Sequence, residues 1–384
     1  MRTEAWIWSL VIVSGLQGCS YLQLQRSVRI SPEDWTLFGG SMERTNVAHS
    51  VVTPPLSKVW EYDASAGFSS YSAVVAESVL FVGNLQGEVH AVHIAMGKGI
   101  GSYNFSSAIV GTPIIENDRM FVALTRTEES LVAYSLLLGR IEWRAKVEDI
   151  ETSPLLVGKR LYVTTLNGKL VCVEKNSGDV VWKYDVPTHG RSKLIHSSPA
   201  SDGNLVVFGC DDGVLYAVGI DDGKLRWRAS TEGSILASPS IDKGNVFVGS
   251  LDGALYSFNL TTGKQIWKHH LGSKIYSSQA VGLYHVYVGT AGRTIYCLDE
   301  STGATVWKAS TNSVVNATPL LSGTILYVGC IDKTLYAYDA QLGEKVWEYK
   351  AEGRIKTMPV VAKNYLFLLT EDQSVIAFKH VEKQ

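Results

Sequence analysis

Three kinds of residue in this chain could do chemistry: closely spaced histidines, a glycine-rich run and five cysteines. His90 and His93 lie three positions apart, and His269 and His270 are adjacent. On an extended strand side chains alternate between faces, so these odd separations send the rings of each pair opposite ways. Neither pair can close on one ion. Gly97-Lys98-Gly99-Ile100-Gly101 lacks the G-x-G-x-x-G spacing of a dinucleotide loop, and no P-loop, H-E-x-x-H or G-x-S-x-G is present. These residues give no catalytic constellation, no metal site and no cofactor loop.

What would position them is a repeat. Four phrases, Asp221 to Trp227, Thr261 to Trp267, Ser301 to Trp307 and Gln341 to Trp347, recur every 40 residues. Before each tryptophan lie a small-residue run such as Ala237-Ser238-Pro239, a β-branched and aromatic run such as Val246 to Gly249, and a third run such as Ala254 to Phe258. Val, Ile, Tyr and Phe favour a pleated surface. Asp-Gly and Thr-Gly pairs supply the positive φ of tight hairpins. The spacing predicts four strands per unit, the fourth ending in tryptophan. Such a meander has two apolar faces and is stable only when copies stack around an axis, as in a β-propeller.

The fourth-strand aromatics are Trp60, Tyr103, Trp143, Trp182, Trp227, Trp267, Trp307 and Trp347, at separations of 43, 40, 39, 45, 40, 40 and 40. They are expected to dock between blades. Trp60 has no three strands before it, and three strands (358–361, 365–369 and 374–378) follow Trp347 without a fourth. The prediction is an all-β, eight-bladed propeller of four-stranded antiparallel blades. The strand at 58–63 would pair with the C-terminal blade and close the ring, which removes the open edges.

The glycine-rich run falls where the Thr-Gly turn belongs and is read as a blade turn. Cys172 and Cys297 occupy equivalent third-strand positions, and Cys210 and Cys330 equivalent second-strand ends. Each pair is three blades apart, beyond the Cα separation of about 7 Å that a disulfide tolerates. A contact between Cys172 and Cys210 stays open, and buried free thiols are expected. A formal net charge of −2 gives no case for nucleic acid. Hydrophobic residues at 46% and charged residues at 19% indicate a globular chain, read as a monomeric propeller.

The N-terminus follows another logic. Ala5 to Leu16 is apolar but too short to span a bilayer of roughly 30 Å, and it suits the h-region of a secretory signal. Leu16-Gln17-Gly18-Cys19 then resembles the bacterial lipobox, which makes Cys19 the lipidated first residue. By the same resemblance Ser20 implies the outer membrane. The reading divides the chain into a lipoprotein signal peptide (1–18), a flexible tether and lead-in (19–50) and the propeller (51–384).

Ala337-Tyr338-Asp339 with Gly343 and Trp347, and Cys297-Leu298-Asp299 with Thr302-Gly303 and Trp307, resemble the repeat of pyrroloquinoline-quinone (PQQ) type propellers. Asp34-Trp35, Phe38-Gly39-Gly40 and Arg44-Thr45-Asn46 resemble their lead-in. Within that superfamily a lipoprotein with bare 40-residue blades is similar to the BamB-like assembly lipoproteins. The resemblance implies a non-enzymatic scaffold on the periplasmic face of the outer membrane, lipid-anchored and docked on the barrel-forming subunit of the β-barrel assembly machinery. It also implies a docking loop. Val186 to Pro199, inside the longest separation, resembles that loop, with Arg191, Lys193 and Leu194 as contact candidates.

Two alternatives remain. One is a PQQ- and Ca²⁺-dependent dehydrogenase, which by resemblance needs carboxylates around the channel and a vicinal Cys-Cys pair. The first-strand triplets here, such as Thr152-Ser153-Pro154 and Ala237-Ser238-Pro239, are small and neutral, and no Cys-Cys pair is present. The other is a periplasmic propeller that binds a peptide or glycan. Basic loops into first strands (Arg191, Lys193, Lys274, Arg354, Lys356) and acidic turns (Asp211, Asp212, Asp252, Asp332, Glu371, Asp372) are expected on one end face.

Overall fold

The computed structural model describes residues 21–71, 73–187 and 192–382. Among them the chain forms eight sheets, seven of four strands and one of five, and no helix. Blade 5 shows the unit: Ser240–Asp242, Asn245–Gly249, Ala254–Asn259 and Gln265–His270, paired antiparallel in that order. Val246 and Val248 pack against Val207 and Leu215 of blade 4, whereas Phe247 packs against Val286 and Val288 of blade 6. The strand's period of two sends alternate side chains to opposite neighbours, so one apolar run serves two interfaces. The other blades are numbered in chain order, blade 1 over 74–104 and blade 7 over 320–350.

Blade 8 closes the ring. Leu56–Asp63 pairs antiparallel with Ser374–His380, from Leu56 opposite His380 to Asp63 opposite Ser374. The outer strand of the last blade thus comes from the start of the propeller, and the predicted closure holds.

Two sequence expectations shift. Ala237-Ser238-Pro239 is not a strand; the ladder begins at Ser240. Proline has no N–H to give to a ladder. The small residues instead link blades around the axis, as Ser153 N–H donates to Ser198 Oγ (2.9 Å), Ser198 N–H to Ser238 Oγ (3.0 Å) and Ser238 N–H to Ser278 Oγ (3.0 Å). Nor does the fourth strand end at tryptophan. Trp267 is third of six residues, next to a β-bulge that skips Ile266. The same shift recurs in every blade, and a bulge adds local twist to its strand.

Register also corrects one aromatic. Trp267 lies opposite Ser257, Trp227 opposite Ala217 and Trp307 opposite Cys297. In blade 1 the equivalent residue, opposite Ala91, is Gly101, and Tyr103 lies two positions further on, opposite Val89. Tyr103 instead packs edge-on with Phe105 and against Tyr134. The indole's place is taken by the N-terminal segment: a Cβ on Gly101 would meet Tyr21 O at 2.8 Å, and Leu22 beside it is fully buried. Tyr134 Oη donates to Leu22 O (2.7 Å), Leu24 N–H to Leu136 O (2.7 Å) and Val28 N–H to Asp118 Oδ1 (2.8 Å). From Tyr21 onward the expected flexible tether is therefore a docked strap.

The lead-in then circles the axis. Trp35 and Val75 of blade 1 exchange backbone bonds, and Ile115 N–H of blade 2 donates to Thr36 O. Ser201 of blade 4, Ile241 of blade 5, Val281 of blade 6 and Leu321 of blade 7 donate to the carbonyls of Met42, Glu43, Thr45 and Asn46. Val47–Ala48 pairs parallel with blade 7, and Lys363 N–H of blade 8 donates to Ser50 Oγ. Blade 3 is held by the side chain of Arg44, which donates to Pro154 O (2.8 Å), Pro199 O (3.0 Å) and Phe38 O. One segment so touches the inner end of all eight blades. Arg44 is fully buried, and burial pulls its pKa down to about 9, which leaves it a cation at neutral pH.

Candidate functional site

The end face opposite this hub carries the expected loops. In every blade a residue of the turn between second and third strands donates its N–H to the loop that enters the first strand. Asp211 donates to Leu194 O (3.0 Å), Leu251 to Ser234 O (2.9 Å), Ala291 to Lys274 O (2.9 Å) and Glu371 to Arg354 O (2.9 Å). Basic loops and acidic turns therefore share one face, as the spacing predicts. They partly neutralise each other: His196 Nδ1 lies 3.1 Å from Asp211, and Lys356 pairs with Glu371. The Asp211 hydrogen bond raises the pKa of His196.

Within this face the 186–199 loop stands apart. Val186 and Ile195 are buried and fix its two ends. Leu194 is 41% exposed although its carbonyl is bonded to Asp211 N–H and to Cys210 Sγ (3.4 Å). Its apolar side chain is thus presented on a pinned backbone. Lys193 lays its stem beside Gly168, where an added Cβ would stand 3.0 Å from Lys193 Cγ, and it makes no ion pair among the described residues. Arg191 and Cys19 lie outside the described residues.

Seven of the eight interfaces behind this face are held by the repeated tryptophans, and between blades 1 and 2 the strap over Gly101 takes that place. Trp227 Nε1 donates to Leu260 O of the next blade (2.7 Å), Trp267 to Glu300 O (3.0 Å), Trp307 to Ala340 O (3.0 Å), Trp143 to Lys175 O (3.0 Å) and Trp60 to Ile94 O (2.7 Å). Each indole also lies over the turn glycine of the following blade, including Trp182 over Gly223. Trp347, facing the closing blade, has no such glycine and packs edge-on against Phe378 (5.8 Å). The four described cysteines are buried and free, and burial pushes the thiols of Cys210, Cys297 and Cys330 up to about 12.

At the centre of the face opens a well of about 270 Å³, to which blades 1 to 7 all contribute. Phe38 of the lead-in lines it, and Arg44, stacked 5.1 Å from the Phe38 ring, does not. The triplets are neutral as read, but the residues just before them are not: Glu151 and His196 line the well beside Tyr71, Tyr276 and Asn316. Sequence reasoning stopped one residue short of this charge. The set does not fit a quinone cofactor with its Ca²⁺. No group of three or more acidic, histidine or cysteine side chains could hold a metal among the described residues, and no tryptophan lines the well to stack a flat ring.

Comparison with known proteins agrees with the fold. A family model described as outer membrane protein assembly factor BamB matches residues 51–198, 190–292, 252–351 and 291–382. The outer membrane protein assembly factor BamB of Yersinia pestis is 24% identical over 237 residues, covering 57% of this chain and 56% of that protein. The protein of the same name from Alkalilimnicola ehrlichii is 34% identical over 88 residues, 21% of this chain and 23% of that one. The matched stretches thus span from under a quarter to a little over half of these relatives. Among solved structures, BamB from Moraxella catarrhalis superposes with a TM-score of 0.72 at 19% identity, covering 84% of this chain and 99% of that one. A europium-containing methanol dehydrogenase superposes with a TM-score of 0.75 at 14% identity, covering 88% and 90%. Likeness at such identities speaks for the propeller alone.

Proposed function

Because this chain belongs to the family of outer membrane protein assembly factor BamB, we propose that it is a non-enzymatic scaffold of outer-membrane β-barrel assembly. In this reading it is anchored through a lipid on Cys19 at the periplasmic face of the outer membrane. It docks on the barrel-forming subunit through the 186–199 loop, with Arg191, Lys193 and Leu194 in the contact. The observation that carries the docking surface is Leu194: a large apolar side chain left in solvent on a backbone pinned at both carbonyl contacts. A rigid apolar knob beside an unpaired lysine is what a partner can bury without first ordering a loop.

A non-enzymatic role is supported by the site chemistry. The described residues around the axis supply small hydroxyls, one carboxylate and one histidine held by Asp211, and no nucleophile with an adjacent base. The strap adds to the scaffold reading. With Leu22 buried at the seam of blades 1 and 2, an anchor on Cys19 would sit within about 11 Å of chain from a fixed point on the rim. The propeller would then be held at the membrane in a set orientation.

The test is affinity capture of the membrane-anchored chain after crosslinking in its own cell envelope, with mass spectrometry of the captured proteins. Recovery of the barrel-forming subunit is the expected result. Its absence with the anchor intact would count against the reading.

A further inference from the structure

We propose that the axial well is a receptor for one cationic side chain, a lysine or arginine, presented by a partner protein. This stands apart from the scaffold reading, because the well can take such a group whichever protein docks on the face.

About 270 Å³ lies just below the range of pockets that take whole organic ligands, and suits a single side chain. The well is blind. The lead-in crosses the axis beneath it, with Phe38 facing the cavity and Arg44 bonded to backbone carbonyls behind. A guest therefore enters and leaves by the loop face, where a partner would approach.

Ser277 and Asn316 also line the well, with Ser277 Oγ and Asn316 Oδ1 buried away from its open space. Glu151 brings a carboxylate with no ion pair among the described residues, and its field is felt by Tyr71 and His196. The hydroxyl of Tyr71 is already used, donating to His196 O (3.0 Å) and accepting from Ser198 Oγ (3.3 Å). His196 is itself tied to Asp211. A carboxylate without an ion-pair partner calls for a guest with N–H donors and positive charge.

The apolar part of the lining agrees. Phe38, Tyr71 and Tyr276 place aromatic rings in the wall, and aromatic faces attract ammonium and guanidinium groups as they exclude water. The one buried arginine is screened from the cavity by Phe38, and His196, the basic group of the lining, already has Asp211 as its counter-charge.

The test uses the full chain and two probes that differ only in charge, N-acetyl-arginine amide and its neutral isostere N-acetyl-citrulline amide. Heteronuclear NMR follows the side-chain amide of Asn316 during titration. The arginine probe is expected to shift that signal saturably, and the citrulline probe to bind at least about tenfold more weakly. Glu151→Gln should weaken the arginine probe by a similar factor while leaving the thermal midpoint unchanged. If that variant misfolds, Tyr276→Leu asks the same of the aromatic wall. No saturable shift, equal binding of the two probes, or indifference to both substitutions would overturn the assignment.

Discussion

The six-membered ring of Trp227 lies so close to Gly263 of the next blade that a Cβ on this glycine would stand 2.6 Å from it. The same contact joins Trp60 to Gly97, Trp143 to Gly178, Trp182 to Gly223, Trp267 to Gly303 and Trp307 to Gly343. Each of these glycines also has positive φ. The repeated phrase therefore joins two blades at once. Its glycine turns the hairpin and seats the preceding blade's tryptophan, and its own tryptophan seats on the blade that follows.

Gly263→Ala should thus carry two penalties. A left-handed backbone costs a non-glycine residue about 1–2 kcal/mol, and forcing a methyl into a filled seam adds about 1–3 kcal/mol. Gly244→Ala in the same blade has a similar φ, +77 against +68, but nothing within 4 Å of its would-be Cβ, so it carries the backbone penalty alone. Thermal midpoints of the two variants measure the difference. Equal midpoints would mean that the seam yields at no cost.

Leu22 offers a second test. It is fully buried against blades 1 and 2, so Leu22→Ala should destabilise like a core substitution, by about 2–5 kcal/mol. Gly101→Trp should restore the repeat's indole and expel the strap, seen as new protease sensitivity around residues 21–24. If the segment were a free tether, neither change would register.

His196 makes stability depend on pH. Its hydrogen bond to Asp211 raises its pKa in the folded chain, so the folded state holds this proton more tightly than the unfolded one. The contribution is complete below the ordinary histidine pKa of about 6.5 and fades as pH rises through the raised value. His196→Gln should flatten this part of the stability profile, measured as thermal midpoint from pH 5 to 9.

Arg44→Ala should be among the most damaging single changes. It removes the donors to Pro154 O, Pro199 O and Phe38 O in a site with no solvent access, and each buried acceptor left bare costs about 1–3 kcal/mol. Arg44→Lys should recover little, because one ammonium cannot reproduce the planar fork. Equilibrium unfolding of the two variants is the measurement.

What the sequence made legible is what repeats. Trp227, Trp267, Trp307 and Trp347 recur because each solves the same packing problem, and the unequal ends around Trp60 and Phe378 foretold the closing pair. Tyr103 misled because an aromatic two residues late still satisfies a period read to within a few residues. Only the register opposite Ala91 identifies Gly101 as the true equivalent. The lead-in was matched by resemblance at Trp35, Gly39 and Arg44, yet its course was hidden. A segment that touches eight blades once each has no period of its own. Glu151 and His196 escaped notice because they precede the repeated triplets, and the axis brings them together only after all the blades have formed.

Docking through the 186–199 loop is tested by crosslinked capture of the wild-type anchored chain beside an Arg191→Glu/Lys193→Glu variant. The barrel-forming subunit should be recovered with the wild type, and its yield should fall at least about tenfold with the variant. Equal recovery with both chains, or none with the wild type, would contradict it.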